Sequence, residues 1–192
     1  FSIYKIKSEP TQKRAIDRDK IKRIFELALE PKDKLFHARN YFIASYLMNG
    51  MSFIDVAFLQ LENIIDGRVR YRRAKTSKLY DLKITEQLIP IIEYYKQGKE
   101  SQDFLFPIIR RERLEDQYKD VFTGRNYYNK YLKEIAKKCN IEEHLTGYVS
   151  RHSMATHLML SEVPVNMISK MLGHKKLQTT EIYIKQLPTH IL

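Results

Sequence analysis

The sequence predicts a mainly α protein carrying one small antiparallel β-sheet. Three observations point there. Apolar residues recur at three- and four-residue spacing through most of the chain. Strict alternation is confined to one stretch in the first half. Glycine, proline and asparagine punctuate the segments at short intervals rather than gathering into a long linker.

Taken in order, residues 1–16 read as an extended linker broken at Glu9-Pro10. Asp17 is a helix cap, and Ile21, Ile24, Phe25 and Ala28 repeat at helical spacing until Pro31. A second helix, from about Leu35 to Met48, is apolar on most sides and therefore central. Asn49-Gly50 ends it. "SFID" has the form of a capping box, with Ser52 as cap and Asp55 three residues on.

The β region follows. "NIID" turns at Asp66-Gly67 into "RVRYRRAK", which turns at "TSK" into "LYDLKIT". Alternation places Arg68, Arg70 and Arg72 on one face, and Val69 and Tyr71 on the other. A helix is expected over 86–97, closing at Gly98, with Pro90 blurring its start. "IIRRERLEDQYKD" reads as a charged connection of undefined structure. From about Arg125, Tyr128, Tyr131, Leu132, Ile135 and Cys139 form an apolar stripe, with Lys130, Lys133, Lys137 and Lys138 opposite. Further helices carry Arg151, Ala155 and Leu158, then run from Pro164 to Gly173, and a last short one carries Tyr183.

At 192 residues the chain is long enough for one domain with a substantial core. A single cysteine, Cys139, excludes an internal disulfide framework and makes a reducing cytoplasm the natural compartment. The apolar run "YFIASYLM" is far too short for a membrane span. The net charge of +11 favours a polyanionic partner, and DNA or RNA is the usual one. No glycine-rich phosphate loop is present, which argues against nucleoside-triphosphate chemistry. The chain starts without methionine, so the expectation is a piece of a longer protein.

Three stretches stand out: "RRAKTSK", "TGYVSRHSMATHL", and "LGHKKLQTTEIYIK". Together they resemble the catalytic domain of the tyrosine recombinases, the integrases of phages and mobile genetic elements. The resemblance covers residues 17–187, and the placing of Arg151-His152, Gly173-His174 and Tyr183 is its most specific part. It implies that family's catalytic-domain fold, DNA strand cleavage and rejoining by transesterification, and no cofactor. Residues 17–192 would be the catalytic domain, and 1–16 a linker from a missing N-terminal DNA-binding domain. Implied partners are double-stranded DNA and other recombinase subunits in a tetrameric synapse, with the C-terminal tail docking in trans. Accessory DNA-bending proteins and a cytoplasmic, nucleoid-associated location go with this, and no membrane.

By the same resemblance Tyr183 is the nucleophile, Arg151 clamps the scissile phosphate, and Lys75 is the general acid, with Lys78 as the neighbouring alternative. His174 would hydrogen-bond the phosphate or position the tyrosine; His152 supports helix packing. The chemistry is coherent without a metal. A phenol with a pKa of about 10 needs help to lose its proton. Arginines clamp the charged phosphoryl oxygens, and an ammonium protonates the departing 5′-oxygen. His152 and His157 are five residues apart, on different helix faces, which speaks against a zinc site.

Two positions depart from the family pattern. "NGMSFIDV" places Ser52 where the first catalytic arginine belongs, although Asp55 keeps the acidic residue that follows. Tyr148 stands where a histidine is usual. A subgroup of integrases on conjugative and mobilisable elements has this look. Arg39, Arg72 and Arg73 are candidates to replace the lost charge. Arg68 and Arg70, with Lys130, Lys133 and Lys137, are candidate DNA-backbone contacts. The competing functions are a catalytically impaired accessory DNA-binding protein and a type IB topoisomerase-like activity.

Overall fold

The computed structural model describes residues 15–174 and 178–185, the side chains of 182–185 excepted. The expected linker up to residue 14 and the tail after residue 185 lie outside the described residues. Among the described residues, eight α-helices and a three-stranded antiparallel sheet follow one another: α1 (Arg18–Glu26), α2 (Lys34–Leu47), α3 (Phe53–Ala57), β1 (Ile64–Ile65), β2 (Arg68–Arg72), β3 (Leu79–Lys83), α4 (Ile89–Lys96), α5 (Leu114–Lys138), α6 (Gly147–Leu160), α7 (Val165–Leu172) and α8 (Gln178–Lys185). The architecture is the mainly α fold with a small sheet that the sequence predicts.

Helix α2 is the axis of the core. It is buried along most of its length and packs against α1, α3, α5 and α6. Phe42, Ile43 and Ala44 are almost wholly enclosed. An aromatic cluster of Tyr41, Phe53, Tyr95, Phe106 and Tyr128 joins α2 to α3, α4 and α5. Asp17 caps α1 by accepting from the Lys20 N–H at 2.8 Å, but the helix stops at Glu26, well before Pro31. Ile16, placed in the linker by sequence, is 2% exposed and tied to α6: its N–H donates to Ser153 Oγ, and its carbonyl meets His157 Nε2 at 3.0 Å.

The sheet has the order β1-β2-β3, with Tyr71 paired to Tyr80 and Arg72 to Leu79. Asp66 and Gly67 both have positive φ, the conformation that suits a tight two-residue hairpin turn. Val69 and Tyr71 face the core, whereas Arg70 and Arg72 are exposed, so the expected alternation holds.

Two further sequence expectations need correction. The charged connection is not irregular throughout: α5 begins at Leu114, eleven residues before Arg125. Its first half was hard to read because Leu114, Tyr118 and Phe122 are exposed, so no buried stripe marks it. Ser52 does occupy the N-cap of α3 but makes no capping hydrogen bond. Its hydroxyl donates instead to Asp55 Oδ2 at 2.5 Å, a hydrogen bond strengthened by the charge of the carboxylate.

The two ends of α5 should respond differently to truncation. Leu132 is fully buried and Leu114 is 59% exposed. Leu132→Ala is expected to cost ~2–5 kcal/mol, and Leu114→Ala no more than about 0.5 kcal/mol, in denaturant unfolding. Equal losses would contradict the described burial of this helix.

Candidate active site

The site forms where the β2–β3 turn and the loop before α3 meet the C-terminal end of α7. Helix α6 brings in Arg151, which is 5% exposed. Its Nη1 donates to the Gly50 carbonyl at 2.8 Å. Its Nη2 donates to the Leu172 carbonyl and faces His174 Nε2 at 3.3 Å. Gly50 is required for this approach. Its φ is +68°, and a Cβ there would lie 2.9 Å from the Arg151 Cα.

Arg73 reaches the same helix end from the hairpin. Its Nη1 donates to the carbonyls of Leu172 at 2.9 Å and Gly173 at 2.8 Å. Two guanidinium groups thus share one carbonyl oxygen. Asp55 lies behind Arg73, with Oδ2 4.0 Å from its Nε, and accepts the Ala74 N–H on Oδ1 at 2.8 Å. That carboxylate is almost wholly buried, so it fixes the start of the hairpin turn to α3.

Of the candidate residues, the fold brings Arg73, Arg151, His174, Asp55 and Ser52 together, with Lys75 exposed on the adjoining turn. Lys78 lies over the Tyr80 ring at 5.8 Å. Arg39 is elsewhere: its Nη1 donates to the Leu27 carbonyl, and its guanidinium lies 4.9 Å from the Phe36 ring centre. Arg72 is exposed and donates to Ser77 O across the turn. His152 is half-buried, with Tyr148 edge-on at 4.5 Å. Tyr148 itself is 51% exposed.

Beside Arg151 runs a groove of about 570 Å³, lined by Ser52, Tyr148 and the α5 residues Tyr118, Phe122 and Arg125. The sequence reading missed this α5 wall. Two exposed aromatic residues, one and two turns before an arginine, would have been its signal. Among the proposed DNA contacts, Lys130, Lys133 and Lys137 are exposed on α5. Arg68 and Arg70 are instead paired with Asp81, at 2.5 and 3.5 Å.

Tyr183 lies in α8, the helix that packs against α6 and α7; its side chain falls outside the described residues. One turn earlier, the fully buried Thr180 places its Oγ1 2.8 Å from His174 Nδ1. Sequence reading passed over Thr180, although its position between His174 and Tyr183 was a usable signal. Gly173, at φ +68°, makes the turn after α7, and a Cβ on it would overlap the Tyr80 hydroxyl. Burial, with Arg151, Arg73 and Lys75 nearby, pushes the His174 pKa down to about 4. His174 is therefore a neutral imidazole at neutral pH. Among the described residues, no group of three or more His, Cys, Asp or Glu side chains could hold a metal ion. Among them, too, no helix is long and apolar enough to cross a membrane.

Residues 14–190 match the phage integrase family. Tyrosine recombinase XerA of Pyrococcus furiosus is 26% identical over 185 residues, covering 94% of this chain and 60% of that protein. The XerA of Pyrococcus horikoshii is 28% identical over 181 residues, covering 93% and 59%. The chain thus spans about three fifths of the curated relatives it matches. A crystal structure of XerA recombinase superposes with a TM-score of 0.67 at 18% identity, covering 97% of this chain and 63% of that one. A lambda integrase (75–356) dimer bound to a COC′ core site gives 0.67 at 14%, covering 97% and 64%. These two likenesses establish the fold.

The lowered pKa of His174 has a stability consequence. The unfolded chain binds a proton near the ordinary value of 6.5, whereas the folded chain resists it down to about 4. More protons are bound by the unfolded state between these values, so stability is fully present above 6.5 and declines as pH falls toward 4. His37 and His157, also lowered by burial, act in the same sense. His174→Gln should unfold with a shallower pH dependence across that window; an unchanged slope would contradict the assigned environment.

Proposed function

The chain belongs to the phage integrase family, and we propose that it is the catalytic part of a site-specific DNA recombinase. On this reading the phenolate of Tyr183 attacks the scissile phosphorus. A 3′-phosphotyrosine forms, the P–O5′ bond breaks, and Lys75 delivers a proton to the departing 5′-oxygen. Attack by a 5′-hydroxyl on the phosphotyrosine reverses these steps and rejoins the strand. Bond energy is kept in the ester, so neither a nucleotide nor a metal cofactor is needed.

The observation that carries the proposal is the convergence of Arg73 and Arg151 on the carbonyl of Leu172. It supports assigning Arg73 the role of the arginine that Ser52 replaces. Two adjacent guanidiniums at a helix end can stabilise the negative charge on a pentacoordinate phosphorus. Asp55, retained from the family pattern, then braces Arg73, and Ser52 orients Asp55. On this reading His174, beside Arg151, hydrogen-bonds the phosphate or helps to position the tyrosine. Tyr148 and Arg125, beside the groove, are candidate contacts to the adjoining sugar and phosphate.

In this proposal the catalytic domain takes in Ile16, which is bonded to α6, together with residues 17–192, and the residues before it lead from a DNA-binding domain upstream. The partners are double-stranded DNA and further recombinase subunits in a tetramer, with the C-terminal tail docking in trans and DNA-bending proteins assisting. A related XerH structure was solved on its difH substrate in a pre-cleavage complex, with a TM-score of 0.66 at 15% identity. Ser52 and Tyr148 together support the subgroup carried by conjugative and mobilisable elements. A cytoplasmic, nucleoid-associated location follows from that substrate.

On a suicide DNA substrate that loses its 5′-hydroxyl fragment, the protein should become covalently attached through a 3′-phosphotyrosine. Tyr183→Phe should abolish the adduct while preserving DNA binding. Undiminished adduct in that variant would overturn the assignment.

Arg73→Ala should fold and bind DNA yet cleave ~10²–10³-fold more slowly, the scale of one lost transition-state donor. Arg39→Ala should cleave within a few-fold of wild type and lose stability instead. Normal cleavage by Arg73→Ala would return the missing charge to some other source.

A further inference from the structure

We propose that Tyr80 is a positioning residue whose hydroxyl takes over the carbonyl of Gly173 when Arg73 turns from the end of α7 to the scissile phosphate. The inference rests on the recombinase reading of this site and names what lets its second arginine change partners.

The donors of Arg73 show why a change is needed. A guanidinium clamps a phosphate most firmly through two neighbouring nitrogens. Nη1 carries two N–H groups, and it donates to two carbonyls, that of Leu172 at 2.9 Å and that of Gly173 at 2.8 Å. On the other edge Nε faces Asp55 Oδ2 at 4.0 Å. A two-nitrogen clamp therefore needs either Nε or Nη1 to come away. Freeing Nε would take the cation from a carboxylate that is almost wholly buried, which is the costlier loss. Freeing Nη1 gives up two neutral carbonyls. Leu172 keeps Arg151 as a donor, but Gly173, itself buried, loses Arg73.

A donor stands ready beside it. Tyr80 is 7% exposed, and among the described residues its hydroxyl has no hydrogen-bond partner. That hydroxyl lies against Gly173: a Cβ there would overlap it and come within 2.7 Å of Arg73 Nη1. The two donors thus flank the same glycine. The Tyr80 ring is fixed by pairing with Tyr71, by stacking on the Tyr71 ring at 5.2 Å, and by the Lys78 ammonium over it. The hydroxyl accordingly stays at Gly173 while Arg73 moves, and its proton is free to turn toward the carbonyl. A phenylalanine would fill the same space and stack as well. The hydroxyl adds an unmet donor, which protein interiors seldom keep without a use.

Tyr80→Phe, measured alone and in the Arg73→Ala background, tests the exchange. The free Tyr80→Phe protein should melt no lower than wild type, because the lost hydroxyl bonds nothing in that state. On the suicide DNA substrate at saturation it should form covalent adduct roughly 10-fold more slowly, the scale of one neutral hydrogen bond. In the Arg73→Ala background the same substitution should add no further slowing, since no guanidinium remains to be released. A lower melting temperature of the free variant overturns the proposal, because the hydroxyl would then be bonded before substrate arrives. So does adduct formation at the wild-type rate. An equal slowing with and without Arg73 overturns it as well, since the hydroxyl would then act independently of that arginine. If the wild type forms no adduct, the recombinase reading falls and this inference with it; the other three results sink this inference alone.

Discussion

The carbonyl oxygen of Leu172 holds the site together. It accepts from Arg73 and from Arg151, two cations that would otherwise repel each other in a poorly hydrated place. Three features offset that repulsion. The C-terminal end of α7 carries the partial negative charge of its unsatisfied carbonyls. Gly173 turns the chain with a positive φ and adds its own carbonyl to Arg73. Asp55 contributes a full negative charge behind the pair. The result is a pair of guanidinium groups held side by side at one helix end.

Most of the fold can be read as support for that meeting point. The hairpin would be free to swing without the Ala74 N–H bonded to Asp55 and the Tyr71–Tyr80 stack lying beneath it. The stacked Tyr80 reaches the Cα of Gly173, where no side chain could fit. Helix α6 is fixed from behind: Ser150 meets Ser45 of α2, and Ser153 and His157 hold the backbone of Ile16. Chain entering the domain therefore touches the helix that carries Arg151.

The departure at Ser52 has a physical logic. An arginine at that position would rely on a neighbouring carboxylate to orient it. Here the carboxylate persists as Asp55, and the cation approaches from the other side, on the hairpin. On the proposed reading, Arg73 supplies from the hairpin the charge that Ser52 does not. Ser52 keeps only the task of orienting Asp55, which is why a short hydroxyl side chain suffices there.

How much of this was legible in the sequence depended on whether the signal was local. Helix periodicity, the Asp66-Gly67 turn and the αL glycine after α7 are set by short-range sterics and burial patterns, and they could be read directly. The order and spacing of Lys75, Arg151, His174 and Tyr183 were likewise visible, because the resemblance is carried by linear motifs. The first half of α5 was not, since its exposed aromatic residues give no periodic buried stripe. Nor could the sequence choose among Arg39, Arg72 and Arg73, which are equal as cations. Only the tertiary structure decided that one of them meets Arg151, because the choice depends on which backbone carbonyls and which buried carboxylate lie within reach. The two carbonyls are about a hundred residues from Arg73 along the chain, and no local rule encodes that meeting.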